Sequence, residues 1–194
     1  MVKLSRIRRG LIAPWPGNFK KENNMIGSRL GLFASPLALV AVVAATPPQV
    51  RAETLHAHLA GYEEVVAVST TGEGRFKAHL DKRGEAIDFE LSYDELEGTV
   101  TQAHIHFGQR GVNGGISVFL CTNLGNSTIP VPACPPPPAT IAGTIRPSDV
   151  IGPEGQGIEP GAFDELVAAI REGTAYANVH STKWPGGEIR GQLR

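Results

Sequence analysis

The feature that most constrains the fold is a set of short runs in which apolar and polar residues strictly alternate, each closed by glycine, proline or a charged turn. From Gly74 to Leu80, Phe76, Ala78 and Leu80 take one parity and Arg75, Lys77 and His79 the other. The turn DKRG follows, and Ile87, Phe89, Leu91 and Tyr93 then repeat the pattern. Period-two alternation puts one set of side chains on a dry face and the other on its reverse, so this pair predicts a β-hairpin. Leu55–Leu59, Thr99–Phe107, Gly115–Cys121, Ala139–Ile145, Ala175–Ser181 and Gly187–Leu193 read as six more strands. About eight short strands at close spacing predict an all-β, antiparallel sandwich or barrel.

One segment has the helical period. Phe163, Leu166, Val167 and Ile170 fall at i, i+3, i+4 and i+7, with Asp164 and Glu165 in the first turn and Gly173 at the end. This short helix is expected to pack over one open end of the sandwich. The Gly/Pro-rich stretch before it, Arg146–Gly161, is expected to be ordered only in part, and Pro135–Pro138 reads as a stiff spacer within a loop.

The front of the chain has a different character. Residues 1–52 carry eight Lys/Arg and one acid, whereas the rest has ten basic and eighteen acidic residues, a net charge of −8. The acidic part lacks the positive footprint a nucleic-acid partner needs. Met25–Arg29 forms a positive n-region, Leu30–Ala45 an apolar run, and Val50-Arg51-Ala52 a cleavage site, which makes Glu53 the first mature residue. The apolar run of 16 residues is short of the roughly 20 a bilayer span needs, so cleavage is favoured over a retained anchor. Met25 is taken as the start, and residues 1–24 as an extension ahead of it. The expected organisation is therefore an N-terminal extension and signal peptide over 1–52 and one domain over 53–194. The expected location is secreted or periplasmic, without a stable membrane anchor.

An exported protein with two cysteines is expected to oxidise them. Cys121 and Cys134 bracket a Pro-rich segment, and no third or fourth cysteine exists for a zinc knuckle. The segment also holds a glycosylation sequon at Asn126, relevant in a eukaryotic cell.

Three blocks carry a family likeness: HLAGYEEVVAVSTTGEGRFKAHLD, VTQAHIHFGQRGVNGGISVFLC and AFDELVAAIREGTAYANVHSTKWPGGEIRGQL. With Gly61, Glu64 and Val65 at signature positions, the chain resembles the CHRD domain, named after chordin and found in exported microbial proteins. Two features depart from that pattern: the long Pro-rich insert from Cys121 to Pro138, and Val66-Ala67 in place of a proline pair. The resemblance implies an immunoglobulin-like β-sandwich, a domain for which no enzymatic activity is established as such. Chordin-like proteins bind growth factors, a partner that does not transfer to this chain, because fold does not fix function.

The chemistry-bearing residues are mostly histidines. In Thr99–Phe107 the apolar set Ala103, Ile105 and Phe107 should face the core, leaving His104 and His106 outward. In Ala175–Ser181, Ala177 and Val179 leave Tyr176, Asn178 and His180 outward. If these strands are neighbours, His104, His106 and His180 converge on one exposed face, and three imidazoles suit Zn²⁺ or Cu²⁺. The alternative is that these histidines hydrogen-bond to loop backbone and fix FGQRGVNGG and KWPGGE. The His-x-His spacing is also similar to copper–zinc superoxide dismutase, but the further histidines and aspartate of that enzyme have no counterpart here. His56, His58 and His79 read as solvated.

Hydrolytic chemistry is disfavoured. A triad can be drawn from Ser181, His180 and Asp149, but adjacent His180 and Ser181 point to opposite faces, and no nucleophile elbow is present. Asp94, Glu95 and Glu97 cluster in a turn, and Gly108, Gly111, Gly114 and Gly115 precede no helix that would make a phosphate loop. Two readings stand. The first is a non-enzymatic exported binding module for an extracytoplasmic protein or small ligand, working through loops and a wet sheet face. The second is a small copper- or zinc-binding protein using the outward histidines.

Overall fold

The structure, a computed structural model, describes residues 53–194; the expected extension, signal peptide and cleavage site lie outside the described residues. The elements in chain order are β1 (Glu53–Ala60), β2 (Glu73–Leu80), β3 (Ile87–Asp94), β4 (Val100–Phe107), β5 (Gly115–Thr122), β6 (Ala139–Ile145), α1 (Phe163–Arg171), β7 (Ala175–Ser181) and β8 (Ile189–Gln192). All eight expected strands and the helix are present. Every strand pair is antiparallel, in the order β5-β4-β7-β8-β1-β2-β3-β6.

That order corrects the expected immunoglobulin-like sandwich. The strands form one sheet that curls into a nearly closed barrel. A sandwich needs two sheets that meet only through side chains. Here the group β5-β4-β7-β8 is joined to β1-β2-β3-β6 by backbone pairing of Ala60 with Arg190. The junction is tight: a Cβ on Gly191 would lie 2.4 Å from the His58 carbonyl oxygen. Alternation specifies which side chains share a face, and it is silent on whether two sheets fuse along an edge.

The inward parity of each strand meets in one core. Gly74, Phe76, Ala78 and Leu80 of β2 lie opposite Tyr93, Leu91, the half-buried Phe89 and Ile87 of β3. Leu55 and Leu59, Ala103 and Ile105, Val118 and Leu120, Ala177 and Val179, and Ile189 close the interior. Full burial of such a side chain is worth about 1.5–3 kcal/mol. Phe163, Leu166, Val167 and Ile170 of α1 add to this cluster, so the helix plugs the core as the amphipathic period requires. The segment between β6 and α1 is more structured than its Gly/Pro content implies. It contains two short 3₁₀ turns, buries Val150 and Ile158, and bonds Ile151 N–H to the Ser117 carbonyl.

Cys121 and Cys134 form a disulfide with Cα atoms 5.0 Å apart, and both are buried. Asn123 secures the same loop: its amide donates to the Val100 and Cys134 carbonyls, and its side-chain oxygen accepts from Cys134 N–H. Tyr93 hydroxyl donates to the Pro135 carbonyl at 2.6 Å. The Pro-rich insert is thus held at the end of β5 by one covalent and several polar ties.

Candidate metal centre

β4 and β7 are neighbours, with Gln102 opposite His180, His104 opposite Asn178 and His106 opposite Tyr176. From Gln102 onward in β4, past a register shift that follows the core residue Val100, and throughout β7, the even-numbered residues share the face away from the core. His180 sits diagonally from His104, a separation that aromatic side chains bridge. On its other edge β4 pairs with β5 through two register shifts, between Ala103 and His104 and between Ile105 and His106. Such bulges sharpen local twist and re-aim side chains. The result brings one ring nitrogen of each of His104, His106 and His180 within 4.8 Å of the others.

The convergence expected from sequence is therefore present, but the wet face is not. His104 is 0 % exposed, His106 8 % and His180 6 %. Two loops cover this side of the sheet: the 61–72 segment after β1 and the 108–114 segment after β4. They are tied together by an Arg110–Glu63 ion pair and by the Asn113 amide donating to the Val65 carbonyl at 3.0 Å. They are tied to the sheet by Arg190, which donates to Asn113 Oδ1 and to the Gln109 and Val112 carbonyls, and by Gln192, which donates to the Gly108 carbonyl. Outward parity does not mean solvent when a loop folds back over the face.

Each imidazole has a defined hydrogen-bond state. His106 Nδ1 donates to the Gly114 carbonyl at 3.0 Å, and His180 Nδ1 donates to the Pro185 carbonyl at 3.0 Å. These are the loop-fixing bonds of the alternative reading, in the segments named for them. They also decide the tautomer: with the proton on Nδ1, each Nε2 carries a bare lone pair. His106 Nε2 is buried with no partner, as is His104 Nε2. His104 Nδ1 lies 3.2 Å from His180 Nε2. Gly114 permits the His106 contact: a Cβ there would lie 1.7 Å from the Phe107 carbonyl oxygen.

Burial keeps the rings neutral. It pushes the His104 pKa down to about 2, with the charges of His180 and His106 adding to the effect. It pushes His106 down to about 4, partly opposed by the bond to Gly114, and it lowers His180 against the bond to Pro185. Neutral imidazole is the ligating form.

The surroundings are aromatic and polar by turns. The edge of His104 meets Phe119 at 4.4 Å between ring centroids, and Tyr176 stacks on His106 at 4.8 Å with planes 1° apart. The Arg190 guanidinium lies on the far face of Tyr176, 3.4 Å from its centroid. Asn178, between the histidine positions, donates to Glu64 Oε1 at 2.5 Å and to the Ile189 carbonyl. Burial raises the Glu64 carboxyl to about 7, while the Asn178 bond and Arg190 hold it back. Gly187, at φ 130°, leaves room for this pair, since a Cβ there would lie 2.6 Å from Glu64 Oε1.

Other sequence-flagged residues are not brought together into a site. Ser181 Oγ accepts from Trp184 N–H, while Asp149 caps Arg146 N–H, so neither serves His180 as a triad partner. Glu97 pairs with Lys183 and Trp184. His56, His58 and His79 are exposed on the opposite half of the sheet, as expected. Among the described residues the metal-capable cluster contains no carboxylate or thiol. Sequence reading missed Arg190 and the partnership of Glu64 with Asn178. The signal present was parity: Arg190 and Gln192 alternate with the core residues Ile189 and Leu193, as His180 does with Val179.

This arrangement suits binding of a transition-metal ion. Zinc–imidazole bonds of about 2.0–2.1 Å place tetrahedral nitrogens roughly 3.3 Å apart. The 3.2 Å pair already has that spacing, and the third nitrogen would need to close by up to about 1.5 Å. The CHRD domain family model matches residues 55–193, and the chain belongs to that family. No curated relative and no solved structure matches it.

Proposed function

We propose that this CHRD-domain protein works outside the cytoplasm as a mononuclear metal-binding protein, holding copper or zinc on His104, His106 and His180. One observation carries the reading. His106 and His180 have their Nδ1 protons tied to backbone carbonyls; His106 Nε2 is left buried without a partner, and His180 Nε2 meets only the ring of His104, within 4.8 Å. Metal-bound histidines characteristically donate their second nitrogen in this way, which fixes ring orientation and strengthens the ligand. A merely structural histidine has no need to bury an unsatisfied acceptor, a cost of about 1–3 kcal/mol. The disulfide fits an oxidising compartment, and with the export signal over residues 25–52 it supports a secreted or periplasmic location.

A second reading, an extracytoplasmic binding module, has one observation in its favour. Tyr62, Val66 and Val112 are exposed on the two loops that cover the histidines, where a protein partner can dock. Metal titration separates the two readings. Wild-type protein should take up one equivalent of Cu or Zn, and His106→Ala and His180→Ala should not. Uptake that survives both substitutions, or no uptake by wild type, rejects the metal reading.

A further inference from the structure

Resting on the three-histidine reading, we infer that the centre selects the univalent ion Cu(I) over Zn(II), and that the charge of Arg190 sets the margin. All three ligands are neutral, and no carboxylate or thiolate within the cluster offsets a metal's charge. A buried positive charge stands beside the cluster. Arg190 is 1 % exposed and lies across Tyr176 from His106, held by three bonds to the 108–114 loop.

The stacking distances put the guanidinium about 9 Å from an ion on His106 Nε2, where Coulomb's law at an effective dielectric near 20 disfavours each added unit of metal charge roughly twentyfold. Glu64, held by Asn178, offsets only part of this, because burial leaves its carboxyl near half-protonated at neutral pH. Glu63 is engaged by Arg110.

Dryness acts in the same direction. Phe119 and Tyr176 wall the rings, so an ion here gives up its water. That loss grows steeply with charge. Zn(II) with three protein ligands also needs a fourth, usually a water, whereas Cu(I) is satisfied by three.

The test is competitive metal binding by the folded protein under anaerobic conditions, with bicinchoninate as the Cu(I) competitor and a chromophoric chelator for Zn(II). Wild type, R190Q, R190K and E64Q are compared, with circular dichroism as the check on folding. R190Q should lower the Cu(I)/Zn(II) affinity ratio about twentyfold, and R190K should hold it within a few-fold of wild type. E64Q, which removes the opposing charge, should raise the ratio, so the inference stays testable if R190Q fails to fold. The Cu(II)/Cu(I) potential of R190Q should fall by about 80 mV, the same factor at 59 mV per tenfold. An unchanged ratio in R190Q or E64Q, or wild type preferring Zn(II), overturns the inference. Failure of wild type to bind either ion rejects the three-histidine reading itself.

Discussion

Replacing Glu64 with glutamine removes a carboxyl whose burial lifts its pKa from 4.5 to about 7. The folded state holds a proton that the unfolded chain releases. Stability therefore falls as pH rises through this window, and the penalty is complete above about pH 7. At 1.36 kcal/mol per pKa unit, the span corresponds to about 3 kcal/mol. Glutamine mimics the protonated acid and can still accept from Asn178.

The histidines run the other way. His104 and His106 have folded pKa values near 2 and 4 against 6.5 unfolded, so their contribution is complete above pH 6.5 and is lost as pH falls below it. Both proteins share that acid lability, so the difference between them isolates Glu64. Urea unfolding of chelator-treated wild type and E64Q at pH 5, 6, 7 and 8 measures it. The variant should gain on wild type by about 2.5 kcal/mol between pH 5 and pH 8, with unchanged urea dependence. Parallel stability–pH curves would refute the assignment of a buried, raised carboxyl.

Three other outcomes follow from the same contacts. Replacing Cys121 and Cys134 together with alanine should cost about 3 kcal/mol and should open residues 123–133 to protease before the barrel yields; uniform protection in the variant would contradict this. Gly114→Ala forces the 108–114 loop off the Phe107 carbonyl and frees His106 Nδ1, so metal affinity should fall about 10–100-fold, read by competition titration, and unaltered affinity would show that this bond does not orient the ligand. Intact mass of the exported form should begin at Glu53; a main species retaining residues 1–52 would remove the export argument.

Much of the architecture was legible because it depends on local alternation. Phe76, Ala78 and Leu80 could face only one way, and the β2–β3 hairpin follows from that and the DKRG turn. Helix α1 was readable from its four apolar positions. The single sheet was not readable, because the β8–β1 junction rests on a close backbone approach at Gly191 that no hydrophobic pattern encodes.

The site divides in the same way. The shared face of His104, His106 and His180 follows from parity, since Ala103, Ile105, Ala177 and Val179 claim the core. Its dryness depends on where the 61–72 and 108–114 loops travel. That is set by long-range contacts such as Arg190 to the Val112 carbonyl and Arg110 to Glu63, which lie far apart in sequence. Solvent exposure read from an alternating strand is therefore the weakest step in such an argument.

The most direct test of the account is X-ray absorption on the metal carried by protein purified from its native compartment. One Cu or Zn per chain, with three imidazole nitrogens at about 2.0 Å and those scatterers lost in a His104→Ala, His106→Ala, His180→Ala variant, is the predicted result. Metal-free protein that refuses both ions, or a first shell of oxygen ligands unaffected by the triple substitution, would contradict it.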